Sequence, residues 1–568
     1  LGTNHIDNSA RVCHAPSTTA LKQSIGYAAT TCSYKDMIGT DLLVFFGSNP
    51  ANNQPVVMKY LHLAKKQGTK VAMINCFREP GMAKYWVPSI PSSALLGTRI
   101  TDFFFKIQPG GDIAFINGVL KHLIDNDWID KNFILHHTSH WEELTRLLEQ
   151  QSFDELEKLA GCSREEMLNF ARIYSKARSA IFVWSMGITM HRFGVENVKS
   201  IVNLALSRGM IGKPYCGLMA IRGHSGVQGG AEMGAVPNQF PGGVPINATT
   251  AKEFSRQWGF PVPDKPGLFA AEMIDAAHQG ELELLYSAGS NLFNILPDSQ
   301  YVKEALTRIP IRVHHDIVLN PQMFIPNSEM VLILPATTRY EMKGGNTETT
   351  TERRVIFNPE IPGPRIALAK DEWRFLVKLA QRLKPEYASC FAYPTTAAIR
   401  EEIARIIPLY NGIQHLSKKG DNFQWGGERL GENFQFPTGD GKAHFSPLSP
   451  PVHHRQSGWF SLSTRRGKQF NSITFSNKDP LLNNGRRNEF WISSEDMKAL
   501  GLKEGNPVRL RNSTGSLVGI LRVGEVTPGV IMVYWPEANV LVPRGVCDPQ
   551  CGIPAYRDAQ VEIISLSE

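Results

Sequence analysis

The sequence predicts an α/β fold with two parallel-sheet domains, followed by a C-terminal β-barrel domain. Apolar, strand-sized runs alternate with amphipathic helical segments in the first part of the chain, which is typical of parallel sheets. Two of these strands run into turns of the same composition, Gly-Ser-Asn. After residue 460, short strand-like segments separated by glycine and proline indicate a barrel. Because single hydrophobic cores stop growing at roughly 250–300 residues, a chain of 568 residues should form several units.

The first predicted strand covers residues 41–46, a continuous apolar run of the kind that is buried in a parallel sheet. It ends in the turn signal Gly47-Ser48-Asn49-Pro50. A helix with one apolar face is predicted over residues 56–67 and a second strand over 70–75, which completes a βαβ unit. The same alternation predicts strands over residues 180–184, 282–286, 311–315 and 330–334 and helices over 195–208 and 300–308.

An internal repeat relates two of these strands. Gly47-Ser48-Asn49 and Gly289-Ser290-Asn291 each follow a predicted strand and precede a helical segment. Ligands of open α/β sheets bind at the carboxyl ends of strands, where helix N-termini favour phosphate. The repeat therefore suggests two similar nucleotide half-sites, while ordinary turn chemistry is the alternative explanation. Neither turn has the GxGxxG pattern of NAD-binding proteins.

The composition changes after about residue 357. A proline-rich start is followed by helices predicted over 372–383 and 395–407, and later by barrel strands over 507–511, 516–523 and 529–534. These changes predict four parts: an α/β domain over 1–224 with the first half-site, part of a second α/β domain over 225–356 with the second half-site, a helical and irregular connection over 357–450, and the barrel over 451–568.

Composition excludes several classes of protein. Hydrophobic residues make up 42% and charged residues 20%, which is ordinary for a globular protein and excludes a disordered chain, a fibrous repeat or a membrane bundle. The formal net charge of +7 is spread along the chain without a basic block, so no nucleic-acid partner is predicted. The longest apolar runs are far shorter than the ~20 residues of a spanning helix.

Cysteine usage indicates a reducing compartment. The eight cysteines are scattered and form no CxxC, whereas a secreted disulfide scaffold would be denser. Cys547 and Cys551 form a single CxxxC. We expect them to be either two unrelated cysteines or the two halves of one disulfide. Since no secretory signal opens the sequence, a cytoplasmic location is predicted. The chain begins with Leu1 rather than Met, and we expect the natural N-terminus to lie upstream.

Three segments could carry chemistry. In the segment 11–17, Cys13 is followed by His14 and Pro16, a turn that could present a sulfur as a soft metal ligand or a nucleophile. A buried structural cysteine is the alternative. The glycine-rich segment 221–242 contains Arg222, which could hold a small anion, or could be a surface arginine. The polar segment 334–354 has no catalytic spacing of its own, and its composition favours a solvated surface loop.

These three segments, in this order, resemble the molybdopterin oxidoreductase family (the dimethyl-sulfoxide-reductase superfamily). Within it they resemble the alpha subunits of formate dehydrogenases and their formate-dehydrogenase-like relatives. The resemblance extends to Ser463-Thr464-Arg465 and Pro536-Glu537-Ala538-Asn539 near the C-terminus and covers essentially the whole chain. It implies two Rossmann-like parallel-sheet domains around a bis-pterin cofactor, together with the barrel.

The resemblance implies a catalytic site and its cofactor. Cys13 would be the thiolate ligand of molybdenum or tungsten, which two molybdopterin guanine dinucleotides would also hold. His14 would be the neighbouring proton-handling group, and Arg222 would hold the carboxylate of formate. A fixed guanidinium would orient the single C–H bond of formate for oxidation to carbon dioxide. Because no side chain can store the two electrons released, the cofactor must accept them.

The remaining site residues are implied to bind the dinucleotides. They are Gly47, Ser48, Asn49 and Asn52 in the first half-site, Gly289, Ser290 and Asn291 in the second, and Asn75, Arg78, Gly110, Gly111, Asp112, Met186, Gly187, Thr464, Arg465 and Asn539 elsewhere.

One departure from the family concerns iron. Family members usually begin with a domain whose clustered cysteines bind a 4Fe–4S cluster, and no such cysteine cluster occurs in this sequence. The chain could be a fragment, the cluster could reside on another polypeptide, or it could have been lost; we expect a fragment. An electron-acceptor protein or subunit is the implied partner. The alternatives to formate oxidation are a different small substrate or an acid-stress role with the same cofactor, and a metal-free scaffold.

Overall fold

The computed structural model describes residues 2–224, 226–326, 329–452, 455–467, 478–479 and 485–566. The chain divides into two compact units, each assembled from separate stretches of sequence. The minor unit comprises Leu1–Arg11 and His224–Gly427, and the major unit comprises Val12–Gly223 and Glu428–Glu568. The domain boundaries drawn from the sequence stay a prediction.

A five-stranded parallel sheet forms the centre of the major unit. Its central strand, Leu42–Phe46, is fully buried, as its continuous apolar sequence requires. The neighbouring strand Ala180–Trp184 is fully buried as well. The strands are β1 (Leu42–Phe46), β2 (Lys70–Asn75), β3 (Phe103–Lys106), β4 (Ala180–Trp184) and β5 (Gly217–Ala220). Their order across the sheet is β3–β2–β1–β4–β5.

Helices cover the two faces of this sheet. The helix predicted over 56–67 forms over Val57–Lys66 and contributes Val57, Met58, Leu61 and Ala64 to the core against β1 and β2. The helix predicted over 195–208 forms over Gly194–Leu206 and packs against α1 (Ala15–Ile25), the helix that follows the Cys13 segment. The other long helices are Asp112–Asp125, Lys131–His137, Trp141–Gln150, Phe153–Ala160 and Arg164–Lys176.

The minor unit contains a three-stranded parallel sheet in the order β6–β7–β8, formed by β6 (Leu284–Ala288), β7 (Ile311–Asp316) and β8 (Met330–Pro335). The strand predicted over 282–286 therefore lies two residues further along. Glu281 lies just beyond the helix Ala270–Gln279 and helps to cap it, because its N–H donates to the carbonyl of Ala276. Parallel pairing of Leu284 with Ile311 then fixes the register. The helices of this unit include Ala248–Trp258, Ala270–Gln279, Ser299–Arg308, Glu372–Leu383 and Thr396–Ile406.

The segment 334–354, which composition favoured as a solvated loop, is partly ordered and buried. Asn346–Thr349 and Arg354–Asn358 form an antiparallel pair, and Arg353 between them is fully buried with a positive φ of 67°. Its guanidinium donates to the carbonyls of Trp425 and Gly427. The surface-loop interpretation is therefore wrong for this part of the segment. A charged side chain such as Arg353 is usually exposed, but here the two main-chain carbonyls accept its hydrogen bonds and allow it to be buried.

The C-terminal region forms a closed six-stranded barrel. The α/β class with parallel sheets and a C-terminal barrel, predicted from the sequence, is confirmed. No helix in the described part of the chain is long and apolar enough to cross a membrane. The barrel strands are β9 (Phe460–Arg465), β10 (Glu489–Ile492), β11 (Pro507–Arg511), β12 (Ser516–Val523), β13 (Val530–Tyr534) and β14 (Gln560–Ser565). They follow one another around the barrel in the order β9–β13–β10–β12–β11–β14.

Candidate functional site

Cys13 and His14 lie at the N-terminus of α1 in the major unit. Pro16 opens the first turn of the helix, and His14 is its N-cap residue. The carbonyl of Cys13 accepts a hydrogen bond from Thr189 Oγ1 at 2.6 Å. Both side chains are buried, with exposures of 7% and 1%. The segment is therefore held by the helix start and by the loop that follows β4.

The ring of His14 connects this helix start to the Arg222 segment. Its Nδ1 lies 2.9 Å from Ser17 Oγ, and its Nε2 lies 3.2 Å from the carbonyl oxygen of Ile221. Arg222 follows directly and is buried as well, with an exposure of 4%. Two segments more than 200 residues apart in sequence thus meet at one buried place.

Charges act on the buried thiol from two sides. Burial raises the pKa of Cys13, and the guanidinium groups of Arg466 and Arg222 oppose this increase. Burial, together with the charge of Arg222, lowers the pKa of His14 to about 3, so its ring is neutral at pH 7. Burial also lowers the pKa of Arg466 to about 10, and the nearby Cys13 partly offsets this decrease. The three residues predicted as catalytic therefore share one environment.

A cleft of about 590 Å³, measured out to open solvent, lies at the carboxyl ends of the sheet strands, where barrel residues form its other wall. Such strand ends are the usual ligand-binding edge of an open α/β sheet. Arg466 lines the cleft and connects it to Cys13. The predicted site residues that line the cleft are Gly47, Ser48, Asn49, Asn75, Met186, Gly187, Thr464 and Arg465.

Two glycines of the cleft wall touch through their backbones. Gly187 N–H donates to the carbonyl of Gly47 at 3.0 Å, and Gly47 has a positive φ of 47°. A Cβ added to Gly187 would lie 2.3 Å from the Gly47 oxygen, closer than van der Waals contact permits. Only glycine at both positions allows the turn after β1 to approach the loop after β4 this closely.

Replacing Gly187 by alanine should destabilise this part of the protein by about 1–3 kcal/mol, because the new methyl group overlaps the Gly47 backbone. The midpoint of urea unfolding would measure the change. Gly439→Ala is the matched control, since a Cβ there meets nothing within 4 Å in the described part of the chain. Equal unfolding midpoints for the two variants would contradict the close approach.

The cleft presents polar atoms that the described part of the protein does not satisfy. Ser48 Oγ, Asn49 Oδ1 and Trp535 Nε1 are buried and have no hydrogen-bond partner among the described residues. Leaving a buried polar group unpaired costs about 1–3 kcal/mol, so native proteins rarely do so without a ligand or water. These atoms are thus available to a polar ligand that offers both donors and acceptors.

The cleft is also positively charged. Arg465, Arg466 and Arg557 line it, against one carboxylate, Glu79. Glu79 is paired with Arg465 at 2.6 Å, and Arg557 donates to Ser463 Oγ at 2.8 Å. The excess of guanidinium groups favours an anionic ligand such as a phosphate-bearing dinucleotide.

Several predicted residues lie outside the cleft lining. Asn52 is nearby and donates to the carbonyl of Arg466 at 3.3 Å. Arg78 is half-exposed and paired with Glu525 at 3.3 Å. Asp112 is buried at the start of a helix, where burial raises its pKa to about 6. Gly110 and Gly111 form the turn before Asp112, and Asn539 is buried in the short 3₁₀ helix Glu537–Leu541.

The second Gly-Ser-Asn turn lies in the minor unit and has the same local geometry as the first. Gly289 has a φ of 56°, close to the 47° of Gly47, and each glycine N–H bonds a carbonyl of the neighbouring strand. Asn49 and Asn291 both cap four-residue helices with nearly equal backbone angles. Both amide atoms of Asn291 are buried without a partner among the described residues. The repeat read from the sequence thus corresponds to one structural motif used twice.

Sequence reasoning missed several residues of the cleft. Arg466 directly follows the predicted Arg465, and this adjacency is the sequence signal that could have identified it as a cleft residue. Arg557, Glu79 and Trp535 come from separate parts of the fold, and no local pattern marks them. Among the described residues, no group of three or more His, Cys, Asp and Glu side chains is arranged to hold a metal ion.

This chain is similar to known proteins in sequence and, for one solved structure, in fold. The chain is 28% identical to the F420-dependent formate dehydrogenase subunit alpha of Methanocaldococcus jannaschii, with 99% of this chain and 82% of that protein covered. It is 26% identical to the probable oxidoreductase YjgC of Bacillus subtilis, covering 99% of this chain but only 56% of that protein. The acetylene hydratase of Pelobacter acetylenicus has the same fold, with a TM-score of 0.71 at 16% identity, over 99% of this chain and 82% of that one.

Two family models match the chain. The molybdopterin dinucleotide-binding domain matches residues 460–560, which contain the barrel wall of the cleft. The unsatisfied polar atoms, the paired glycines and the excess of arginines fit such a phosphate-bearing group. The molybdopterin oxidoreductase model matches residues 1–382, about two thirds of the sequence. The resemblance seen in the sequence is therefore confirmed, and the chain belongs to the molybdopterin oxidoreductase family, a family of oxidoreductases.

Proposed function

We propose that this chain oxidises formate to carbon dioxide at a molybdenum or tungsten centre held by two molybdopterin guanine dinucleotides and by Cys13. The observation that carries the proposal is the convergence of Cys13, His14 and Arg222 at one buried place beside the cleft. Relatives named formate dehydrogenase alpha subunits at 28% identity support the substrate.

The cleft residues have a defined part in this proposal. Gly47, Ser48 and Asn49 would bind one dinucleotide, together with Met186, Gly187 and the arginines of the barrel wall. Gly289, Ser290 and Asn291 would bind the second. When bound, the cofactor supplies the two-electron acceptor that no side chain can provide.

Arg222 would bind and orient the substrate. Its guanidinium is a planar fork that matches a carboxylate, and formate offers only one anionic group and one C–H bond. Burial strengthens this attraction because water competes less for both charges. Holding the carboxylate fixes the direction of the C–H bond, and orientation of this kind can contribute several kcal/mol to catalysis.

Cys13 would supply a soft sulfur ligand, which must be a thiolate to bind a metal. Burial opposes ionisation of the free thiol, while Arg466 and Arg222 favour it. His14 would be the neighbouring proton-handling group. Burial and the charge of Arg222 lower the pKa of its ring, which is therefore neutral at pH 7.

Electron transfer away from the site would need a partner. The family resemblance suggests an iron–sulfur cluster and an electron-acceptor protein or subunit. Because the eight cysteines of this sequence are not grouped for a cluster, the ligands of that cluster would lie outside this sequence.

The proposal is tested by a substrate screen. Anaerobically purified protein would be assayed with formate, nitrate and sulfoxides, using artificial dyes as electron carriers. Formate-dependent dye reduction is expected. Turnover of nitrate or a sulfoxide without turnover of formate would contradict it.

A second candidate is the same cofactor with another small substrate. It is favoured by relatives whose names do not mention formate, such as YjgC and the Escherichia coli protein YdeP, which is 26% identical over 99% of this chain and 77% of its own length. The same screen separates the two candidates.

A further inference from the structure

A closed circuit of hydrogen bonds surrounds the ring of His14. Trp184 Nε1–H donates to Ser17 Oγ at 2.9 Å, and Ser17 Oγ lies 2.9 Å from His14 Nδ1. His14 Nε2 faces the carbonyl of Ile221, and the N–H of Ile221 donates back to the carbonyl of Trp184 at 3.0 Å. The side chains of Trp184, Ser17 and His14 have exposures of at most 1%. The circuit joins β4, α1 and the segment after β5.

One arrangement of protons gives every donor in this circuit an acceptor among the described residues. A main-chain carbonyl only accepts, so His14 Nε2 must carry a hydrogen to bond Ile221. Ser17 Oγ accepts from the indole N–H, and its own hydrogen then points to Nδ1. Within the described residues, the side chains of Trp184 and His14 are the partners of this hydroxyl. The ring is fully satisfied as the neutral tautomer protonated at Nε2.

We propose that Ser17 and Trp184 are positioning residues that hold His14 as its neutral Nε2–H tautomer and, through Ile221, fix Arg222 beside Cys13. Two further donors, Gln54 Nε2 and Ser185 Oγ, lie 3.3 Å from the same Ile221 oxygen and restrict its movement. In this state, the Nδ1 lone pair is engaged by Ser17 and Nε2 already carries its hydrogen. His14 therefore supports the anion-binding segment, and it can accept a proton only after Ser17 rotates away.

The tautomer is tested by nitrogen NMR on the oxidised full chain with its cofactor, labelled with ¹⁵N in the histidine rings. The His14 signals are assigned by their loss in His14→Asn. We expect one protonated nitrogen, Nε2, and one unprotonated nitrogen, Nδ1, with a shift typical of a hydrogen-bond acceptor. The Nδ1 signal should move toward that of an unbonded nitrogen in Ser17→Ala. An imidazolium, the opposite tautomer, or an unchanged Nδ1 signal in Ser17→Ala would overturn the proposal.

Kinetics test the consequence for Arg222, which rests on the proposed formate oxidation. Ser17→Ala should raise KM for formate about tenfold with a smaller change in kcat, and Ser17→Thr should restore KM because it keeps the hydroxyl. Ser24→Ala is the matched control, since Ser24 is buried in the same helix and its hydroxyl has no partner among the described residues. An equal KM in Ser17→Ala and Ser24→Ala, at equal melting temperatures, would overturn the positioning role.

The two measurements keep this proposal separate from the proposed function. If formate is not a substrate, the NMR result still decides whether the circuit holds the ring. If formate is oxidised but the ring has another protonation state, only the role of Ser17 and Trp184 fails.

Discussion

Replacing Arg222 by alanine is expected to lower kcat/KM for formate by about 10³-fold, the scale seen when one essential charge-stabilising donor is removed from an active site. The reason is that the substrate would lose the buried cation that binds its carboxylate and directs its C–H bond. The molybdenum or tungsten content should not change, since Arg222 is not proposed as a ligand. Steady-state kinetics and elemental analysis of the same preparation would measure both quantities.

Two further variants sharpen this experiment. Arg222→Lys keeps the charge but loses the planar fork, so its activity should lie between those of the wild type and the alanine variant. Arg178→Ala removes an arginine whose side chain is 91% exposed and should leave activity unchanged. Near-full formate oxidation by Arg222→Ala would show that the anion-binding role is wrong.

Replacing Cys13 by serine is expected to reduce formate oxidation to background. A hydroxyl is a poor substitute for a thiolate on molybdenum or tungsten, because these metals would lose a soft, strongly donating ligand. X-ray absorption at the metal edge should show one sulfur neighbour fewer than in the wild type. The dinucleotides would still retain the metal, so the loss is expected in coordination and activity rather than in metal content.

Cys162→Ser is the matched control for this variant. Cys162 is also buried, but it lies beside Glu166 at the start of the helix Arg164–Lys176, away from the Cys13 segment. It should change neither the sulfur coordination of the metal nor the rate. Unchanged sulfur coordination in Cys13→Ser would remove Cys13 from the set of ligands.

Much of the fold could be predicted because its strands are short apolar runs with strong turn signals. The run 42–46 is apolar at every position, which predicts a strand covered on both faces, and the strand is indeed fully buried. Gly47 ends it with a positive φ. The repeat of this turn at Gly289 was visible for the same reason: a local backbone requirement selects the same residues twice. The segment around Arg353 was missed because its burial depends on distant main-chain acceptors at Trp425 and Gly427.

The site was only partly predictable for a related reason. Cys13, His14 and Arg222 belong to local motifs, so the sequence could identify them, although their meeting depends on the sheet. Arg557 and Trp535 reach the cleft from the barrel, and no periodicity or spacing connects them to the turn at Gly47. The circuit through Trp184 was also hidden, since a tryptophan at the end of an apolar strand looks like an ordinary core residue.

The most direct test of the account is the metal content of anaerobically purified protein, measured by mass spectrometry for molybdenum, tungsten and iron together. We expect about one molybdenum or tungsten atom per chain, because each chain would hold one bis-pterin centre. Iron at about four atoms per chain would in addition support an associated 4Fe–4S cluster. Well-folded protein that contains neither molybdenum nor tungsten, although made with full cofactor supply, would contradict the account and favour a metal-free scaffold.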